Sequence, residues 1–556
     1  MFFQALTLFL IAITVTAAPR PNVLVIITDD QGHGDLGIHG NPKIYTPNLD
    51  RLARESVRIK NFYVSPVCAP TRASLLTGRY NYRTGVVDTA LGRAMMFSDE
   101  VTLAEMFAAA GYRTGIFGKW HLGDNYPMRA MDQGFQESLV HKGGGIAQPS
   151  DPPGGDSYFD ATLYRNGIAQ KSRGYCTDVF TEAAIAFVEQ RRERPFFAWL
   201  AYNAPHTPLQ VPEADLEPYR ALNDETTAKV YAMVSNIDRN IGRLLKALPT
   251  NTMVLFLTDN GPQQTRYKSH MRGLKGSVYE GGIRVPFFIR WPGNLKAGHE
   301  VLQIAAHIDL APTLLEACGI QKPANVTFDG VSLWALLTGA RVRWPERTLF
   351  FQWHRGDVPE LHRAFAVRSS RFKLVQALGA GEKWSGKKVF ELFDIENDPS
   401  ESRDLSSDRP ELMKKLLASY ERWFDDMKSS RGFALPRIVI GATNENPVTL
   451  TRQDWRGPQA NWGTNGLGHW DVEVARGGHY LFQMIFPELK EPEVVHLRCQ
   501  DQMSQQPVAV GMKDCEFKDV RLKQGPGRIE AWIQSGSMKR GVHYVFVSRE
   551  LGKEPH

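Results

Sequence analysis

"NVLVIITDDQG", residues 22–32, is an apolar run that ends in two adjacent carboxylates and a glycine. It has no polar alternation to leave one face wet, so it predicts a strand covered on both faces, as in the parallel sheet of an α/β fold. "TMVLFLTDNGP", 252–262, repeats the arrangement, and "PFFAWLAY", 195–202, is a third apolar run. Between them, "TLAEMFAAAGYRTG", 102–115, reads as a helix ended by Gly111, and "AKVYAMVSNIDRNIGRLLKAL", 228–248, as a longer amphipathic helix. This alternation, from Pro21 to about Gly319, predicts a mostly parallel central sheet flanked by helices.

The two acidic strand ends carry the first chemical signal. Asp29 and Asp30 follow one strand; Asp259 and Asn260 follow the other. Open α/β sheets place ligands beyond the carboxyl ends of their strands. Three carboxylates and an amide oxygen make an oxygen-only set for a hard divalent cation, and Ca²⁺ suits so many protein oxygens better than Mg²⁺. Each pair taken singly is more readily an Asx-capped glycine turn; the matched second copy reverses that in favour of a metal.

Further along, "TLFFQW", "AFAVRS", "FKLVQ" and "FELFDI" predict short strands before one helix, "PELMKKLLASYERWFDDMKS" at 410–429. After "LPR" at 435–437 come Gly, Trp and alternating runs: "HWDVEVA", "HYLFQMIF", "GRIEAWIQ" and "VHYVFVS". These predict an antiparallel β-sandwich. The expected units are a signal peptide at 1–18, a catalytic α/β domain at 19–346, a smaller α+β subdomain at 347–432 and an accessory sandwich at 437–556. The leader "MFFQALTLFLIAITVTAAPRP" reads as a secretory signal cut near Ala17 or Ala18. It has no Lys or Arg before its apolar run, so a retained anchor is the alternative. No later run approaches the ~20 apolar residues that span a bilayer, and a soluble periplasmic or secreted protein is expected. The net charge of +6 has no Lys/Arg block behind it, which disfavours a nucleic-acid partner and suits an anionic substrate.

Five cysteines leave at least one unpaired in an oxidising compartment. Cys499 and Cys515 are near enough in sequence to pair, and Cys176 and Cys318 read as plain buried thiols. Cys68 stands apart. In "SPVCAPTRASLLTGRY", 65–80, Pro70 suits the first helical position, with Cys68 just before it and Arg72 on the facing turn. A helix N-terminus beside Arg72 is a seat for a tetrahedral anion. A thiolate there would be a soft ligand beside a hard cation, which points to oxygen rather than sulfur as the working atom. A structural buried cysteine is the other reading of such a residue.

"CAPTRASLLTGRY" resembles the C-x-P-S-R…TGR signature of the type I sulfatases, in the alkaline phosphatase superfamily. Thr71 departs from the usual Ser, while Cys68, Pro70 and Arg72 are intact. The likeness runs in order from about Asn22 to Lys428: "TDDQG" and "TDNG" resemble the metal pairs, and "GKWHLG" supplies Lys119 and His121. "NAPHTP" supplies His206, and "RGLKGSVYEGGIRVP" supplies Lys275. "IDLAPTLLEACGI", "DGVSLWALLTG" and "ELFDIENDPSESRDL" resemble family segments with mainly structural roles. Each histidine or lysine alone would be read as structural or surface; together with the metal pairs and Cys68 they become site residues.

The resemblance implies hydrolysis of sulfate esters. Cys68 becomes formylglycine (3-oxoalanine) through the formylglycine-generating enzyme, and its hydrate works beside one Ca²⁺ held by Asp29, Asp30, Asp259, Asn260 and position 68. By the family's chemistry one hydroxyl attacks sulfur and Asp259 takes its proton. Arg72, Lys119 and Lys275 bear sulfuryl charge, and His206 with Lys275 protonates the leaving alcohol. His121 takes the proton of the second hydroxyl as sulfate leaves. Export and the added sandwich favour a sulfated carbohydrate over an aryl sulfate. The alternatives are a phosphodiester or phosphonate monoester hydrolase of the same superfamily and a non-catalytic glycan-binding relative. His270, Arg272, His354 and Arg355 are candidates to border the pocket or surface residues without a role. Trp455, Trp462 and Trp470 are candidates to stack on sugars, with packing as the commoner use.

Overall fold

The computed structural model describes residues 20–151, 154–190, 193–379 and 389–550; the leader at 1–18 lies outside them. The main sheet comprises β1 (Asn22–Thr28), β2 (Val57–Tyr63), β3 (Arg113–Lys119), β4 (Glu137–His141), β5 (Thr162–Arg165), β6 (Ile168–Lys171), β7 (Phe196–Ala201), β8 (Thr252–Thr258), β9 (Arg284–Val285), β10 (Phe287–Arg290) and β11 (Glu300–Ala306). Their order is β11-β2-β10-β8-β1-β7-β3-β4-β5-β6, with β9 on β2. The five central strands β8, β1, β7, β3 and β4 are parallel. Along β1, Val23, Val25 and Ile27 enter the core on one face, and Leu24 and Ile26 the core on the other. That two-sided burial is why the run shows no alternation.

The parallel order stops toward the edges, where β10 runs antiparallel to β8, β5 to β4 and β6 to β5. The last turn is Asn166–Gly167, both left-handed (φ 47° and 81°), the residue pair that a two-residue hairpin favours. The helix Glu225–Ala247 is capped by Asp224 and buries Met233, Ile237, Ile241 and Leu244 against the sheet. The helix Leu103–Ala109 opens on a Thr102/Glu105 capping box, and the chain leaves it through left-handed Gly111. The Cys68–Thr77 helix starts two residues earlier than expected, so Cys68 is its first residue and Pro70 its third. Proline is tolerated there because the first four N–H groups of a helix have no intrahelical acceptor.

Beyond the main sheet, Leu349–Gln352, Phe365–Arg368, Phe372–Gln376 and Glu391–Asp394 form a four-stranded antiparallel sheet. The helix Pro410–Arg431 packs Tyr420, Trp423, Phe424 and Met427 into the core beside it. The C-terminal region folds as two further sheets around one apolar core. Trp455 and Trp470 are fully buried in that core, so packing is their use; Trp462 is 40% exposed. The pairing considered for Cys499 and Cys515 does not occur. They are free, buried thiols on strands Glu493–Cys499 and Asp514–Leu522, which belong to different sheets. Cys176 and Cys318 are buried free thiols, as expected.

The packing of β3 on β7 depends on one glycine. Gly118 has φ 114°, and a Cβ there would lie 1.8 Å from the Ala201 carbonyl oxygen. Gly118→Ala is expected to destabilise the fold by at least about 2 kcal/mol, read as a lowered Tm or insoluble expression. A wild-type Tm would contradict this account of the strand contact.

Candidate active site

Thr28 of β1 lies opposite Thr258 of β8, so both acidic pairs leave the sheet at one level. The Asp259 N–H donates to the Thr28 carbonyl (3.1 Å) and the Asp30 N–H to Asp259 Oδ1 (3.3 Å). Asp30 adopts a left-handed φ of 63°, which turns its side chain back toward Asn260, whose Nδ2 donates to Asp30 Oδ1 (2.8 Å). The buried Cys68 helix brings its thiol to the same place: ligand atoms of Asp29, Cys68 and Asp259 all lie within 4.8 Å of one another.

Each carboxylate has its own cation. Lys119 Nζ lies 2.5 Å from Asp29 Oδ2, and Lys275 Nζ 2.7 Å from Asp30 Oδ1. Arg72 donates from Nε and Nη2 to Asp259 Oδ2 (3.1 and 2.7 Å) and from Nη1 to the Lys119 carbonyl (3.1 Å). Arg72, named above as a seat for an anion, is placed at the centre. Its guanidinium is 1% exposed and bonded to Asp259, so it holds that carboxylate in position. Lys275 is the most open of the three, with a side chain 16% exposed.

Burial pushes Asp259 up to about 6, with the Asp29 charge adding to it against Arg72 and Lys119. Burial also acts to raise Asp30, but Lys275 and then His206 overcome it and hold that carboxyl below its ordinary range. Asp29 Oδ1 and Asn260 Oδ1 are buried without a hydrogen-bond donor. Buried acceptors are rarely left so, and two orphaned oxygens amid three carboxylates fit a hard cation. The donor set therefore agrees with Ca²⁺.

Histidines complete the centre. A carbonyl oxygen can only accept, so the ring nitrogen bonded to it carries the proton. His121 Nε2 donates to the Thr89 carbonyl (2.7 Å) and His206 Nδ1 to the Thr207 carbonyl (2.7 Å). His121 Nδ1 is left buried without a partner, and His206 Nε2 lies 3.8 Å from Asp30 Oδ2. Burial, then Lys275, pushes His206 down to about 3; burial, then Lys119, pushes His121 well below the ordinary range. In both rings burial disfavours the charged form.

Sequence reasoning missed His141 and Gln148. His141 ends β4 opposite Lys119, donates from Nδ1 to the Lys142 carbonyl (2.9 Å) and keeps a buried, unpartnered Nε2. Gln148 accepts at Oε1 from the Gly144 N–H (2.9 Å). The available signal was "HKGGGIAQ": a Cβ at Gly144 would meet His121 Nε2 at 2.5 Å, and one at Gly145 would meet His206 Cε1 at 2.9 Å. The C-terminal sandwich also reaches the site, since Gln453 Nε2 donates to the same Thr89 carbonyl as His121 (3.0 Å).

Of the four border candidates, Arg272 lines a cavity of about 760 Å³ with Lys275 and Trp353. Arg272 is steadied by Glu391 at 3.2 Å and by the Tyr279 ring at 3.9 Å. Arg355 pairs with Asp88 (2.9 Å) and donates to Thr89 Oγ1 (3.1 Å). His354 is turned into its own loop, bonding the Glu360 N–H and the Arg355 carbonyl. His270 is exposed beside Tyr267.

Residues 21–320 match the family model described as Sulfatase. The chain belongs to the sulfatase family. Residues 274–427 also match the model described as N-sulphoglucosamine sulphohydrolase, C-terminal. Bovine (Bos taurus) arylsulfatase A is 34% identical over 75% of this chain and 89% of its own. Human (Homo sapiens) N-acetylgalactosamine-6-sulfatase is 33% identical over 62% of this chain and 70% of its own. The crystal structure of Ps i-CgsB in complex with k-i-k-neocarrahexaose has a TM-score of 0.65 and 29% identity, covering 73% of this chain and 92% of that one. This sulfatase is of type I, arylsulfatase-like, and a sulfuric ester hydrolase.

The sulfatase centre is charge-balanced, with three buried carboxylates against three cations, so removing one cation is costly. Arg72→Ala is expected to destabilise the protein by about 3–5 kcal/mol, because it leaves Asp259 buried without its partner. A thermal melt showing no loss would refute this role for Arg72.

Proposed function

We propose that the chain hydrolyses sulfate esters on a sulfated carbohydrate, with a formylglycine hydrate at position 68 as nucleophile and one Ca²⁺ beside it. The observation that carries this reading is the thiol of Cys68 among Asp29 and Asp259, in a site otherwise built for oxygen and a hard cation. Burial pushes that thiol up, so as cysteine it is neutral and poorly nucleophilic. Oxidation by the formylglycine-generating enzyme, for which Cys68, Pro70 and Arg72 form the recognised core, removes the mismatch. The aldehyde hydrate supplies one hydroxyl to attack sulfur and a second whose deprotonation releases sulfate. Asp29, Asp30, Asp259, Asn260 and position 68 would hold the Ca²⁺, which supplies positive charge that acidifies an oxygen nucleophile and offsets sulfuryl charge.

The chain's own groups do the rest. Asp259 lies at the nucleophile's position to take its proton, and Arg72 holds it in place. Lys119 and Lys275 offset charge on the sulfuryl oxygens, Lys275 from the open side. His206 is tied by its Nδ1–H, so Nε2 is the atom that handles a proton. An anionic ester beside it raises its affinity for that proton, and with Lys275 it donates to the leaving alcohol. The bare Nδ1 of His121 accepts the proton of the second hydroxyl.

The names of the relatives support a carbohydrate sulfate: N-acetylgalactosamine-6-sulfatase is one, and Ps i-CgsB was crystallised with a neocarrahexaose. The apolar leader supports export to the periplasm or beyond. Among the described residues no helix is long and apolar enough to cross a membrane. We assign the catalytic domain to 19–346, its smaller subdomain to 347–432 and the accessory sandwich to 437–556.

The test is turnover of para-nitrophenyl sulfate by protein co-expressed with the formylglycine-generating enzyme. Cys68→Ala is expected to lose at least about a thousandfold in kcat with an unchanged Tm. The wild-type tryptic peptide covering residues 61–72 is expected to carry an aldehyde. Wild-type turnover by Cys68→Ala would refute the nucleophile, and faster cleavage of an aryl phosphodiester than of the sulfate would favour the phosphodiesterase alternative.

A further inference from the structure

The sandwich faces the α/β unit across a cavity of about 430 Å³, lined by Gln148 and Asp151 on one side and Arg452, Trp462, His543 and Tyr544 on the other. That volume is in the range of small-ligand sites. The Tyr544 hydroxyl donates to the Asp151 carbonyl and latches the two walls together. The family matches end at residue 427, so the sandwich wall lies beyond them.

Three features mark the cavity as more than a gap. It adjoins the catalytic histidines, because Gln148 belongs to both places. A Cβ at Gly144 would lie 2.5 Å from His121 Nε2 and 3.0 Å from Gln148 Oε1; one at Gly145 would lie 2.9 Å from His206 Cε1 and 3.0 Å from Gln148 Nε2. One glutamine side chain thus separates the cavity from the rings that handle protons. Second, Trp462 presents a 40% exposed indole at this wall, whereas Trp455 and Trp470 are buried. A flat apolar face of this kind suits the C–H face of a sugar ring.

Third, Arg452 is a buried cation, 4% exposed. It donates to the carbonyls of Val542 (3.0 Å), Gly463 (2.5 Å) and Gly541 (2.6 Å) and lies over the Trp455 ring at 4.9 Å. No carboxylate pairs with it among the described residues. Two of its five N–H donors remain uncommitted by these bonds. A fixed donor of this kind, set with Gln148 and Asp151 around an aromatic face, matches the edge hydroxyls of a pyranose.

We infer that this cavity is a subsite for the sugar unit next to the one bearing the scissile sulfate, shared between the sandwich and the α/β unit. The inference rests on the carbohydrate-sulfatase reading and sharpens it: the substrate is an oligosaccharide of at least two units, and the sandwich selects it at the site.

The experiment compares kcat/KM of wild type, Trp462→Ala and Trp462→Tyr on para-nitrophenyl sulfate, on a sulfated monosaccharide, and on sulfated di- and tetrasaccharides from carrageenan and chondroitin sulfate. Trp462 is exposed, so the substitutions leave the fold intact. Wild type is expected to gain with chain extension on at least one series. Trp462→Ala is expected to lose about five- to tenfold on those oligosaccharides, mainly through KM, while keeping its rates on the aryl and monosaccharide esters; Trp462→Tyr retains most of the gain. No gain from extension in wild type, an unchanged oligosaccharide rate in Trp462→Ala, or an equal loss on every ester would each overturn the subsite. A wild type inert toward every ester, the aryl sulfate included, would overturn the carbohydrate-sulfatase reading and the subsite with it.

Discussion

The register of β1 on β8, Thr28 opposite Thr258, is the constraint on which the centre depends. It delivers three carboxylates and an amide to one dry volume, where like charges repel strongly and water cannot screen them. Everything nearby answers that repulsion. Arg72 comes from the Cys68 helix, Lys119 from the end of β3 and Lys275 from the loop after β8, each to a different carboxylate. The backbone is bent to suit: Asp30 and His121 both take left-handed φ of 63°, a conformation unusual for residues with side chains. The three cations neutralise three carboxylates but leave Asp29 Oδ1 and Asn260 Oδ1 bare. A divalent ion held at those atoms would leave the site with the positive excess that an anionic ester needs.

Much of this was legible in the sequence because it is local. A strand buried on both faces is an unbroken apolar run, and its ligands follow directly, so the endings "VIITDD" and "LFLTDN" can be recognised. What escaped was set by tertiary contacts. The sequence pattern around Arg72 does not reveal its pairing with Asp259, which only the fold brings about. Trp455, Trp462 and Trp470 look alike in a strand-rich segment, yet two fill the core and one lines a cavity. Cys499 and Cys515 are close in sequence, but the chain crosses from one sheet to the other between them. His141 and Gln148 gained their places from β3–β4 pairing and from a glycine run that admits no side chains.

The sandwich is bound into the catalytic unit rather than tethered to it. Gln453 shares the Thr89 carbonyl with His121, Arg456 donates to the Gly92 carbonyl, and the Gly92 N–H donates to the Gln453 carbonyl. Through Thr89 the sandwich shares the acceptor of the His121 Nε2–H, and through Tyr544 it holds the loop that carries Gln148. The proposed subsite and the contacts that orient the centre would therefore share one interface.

The most direct measurement of the central claim is calorimetric titration of Ca²⁺ into chelator-treated protein, with Asn260→Ala and Asp29→Asn as comparisons. The account predicts one Ca²⁺ per chain in wild type and affinity lowered at least about tenfold in each variant, since each removes an oxygen or charge from the same cage. Absence of binding in wild type, or equal binding by all three proteins, would contradict it.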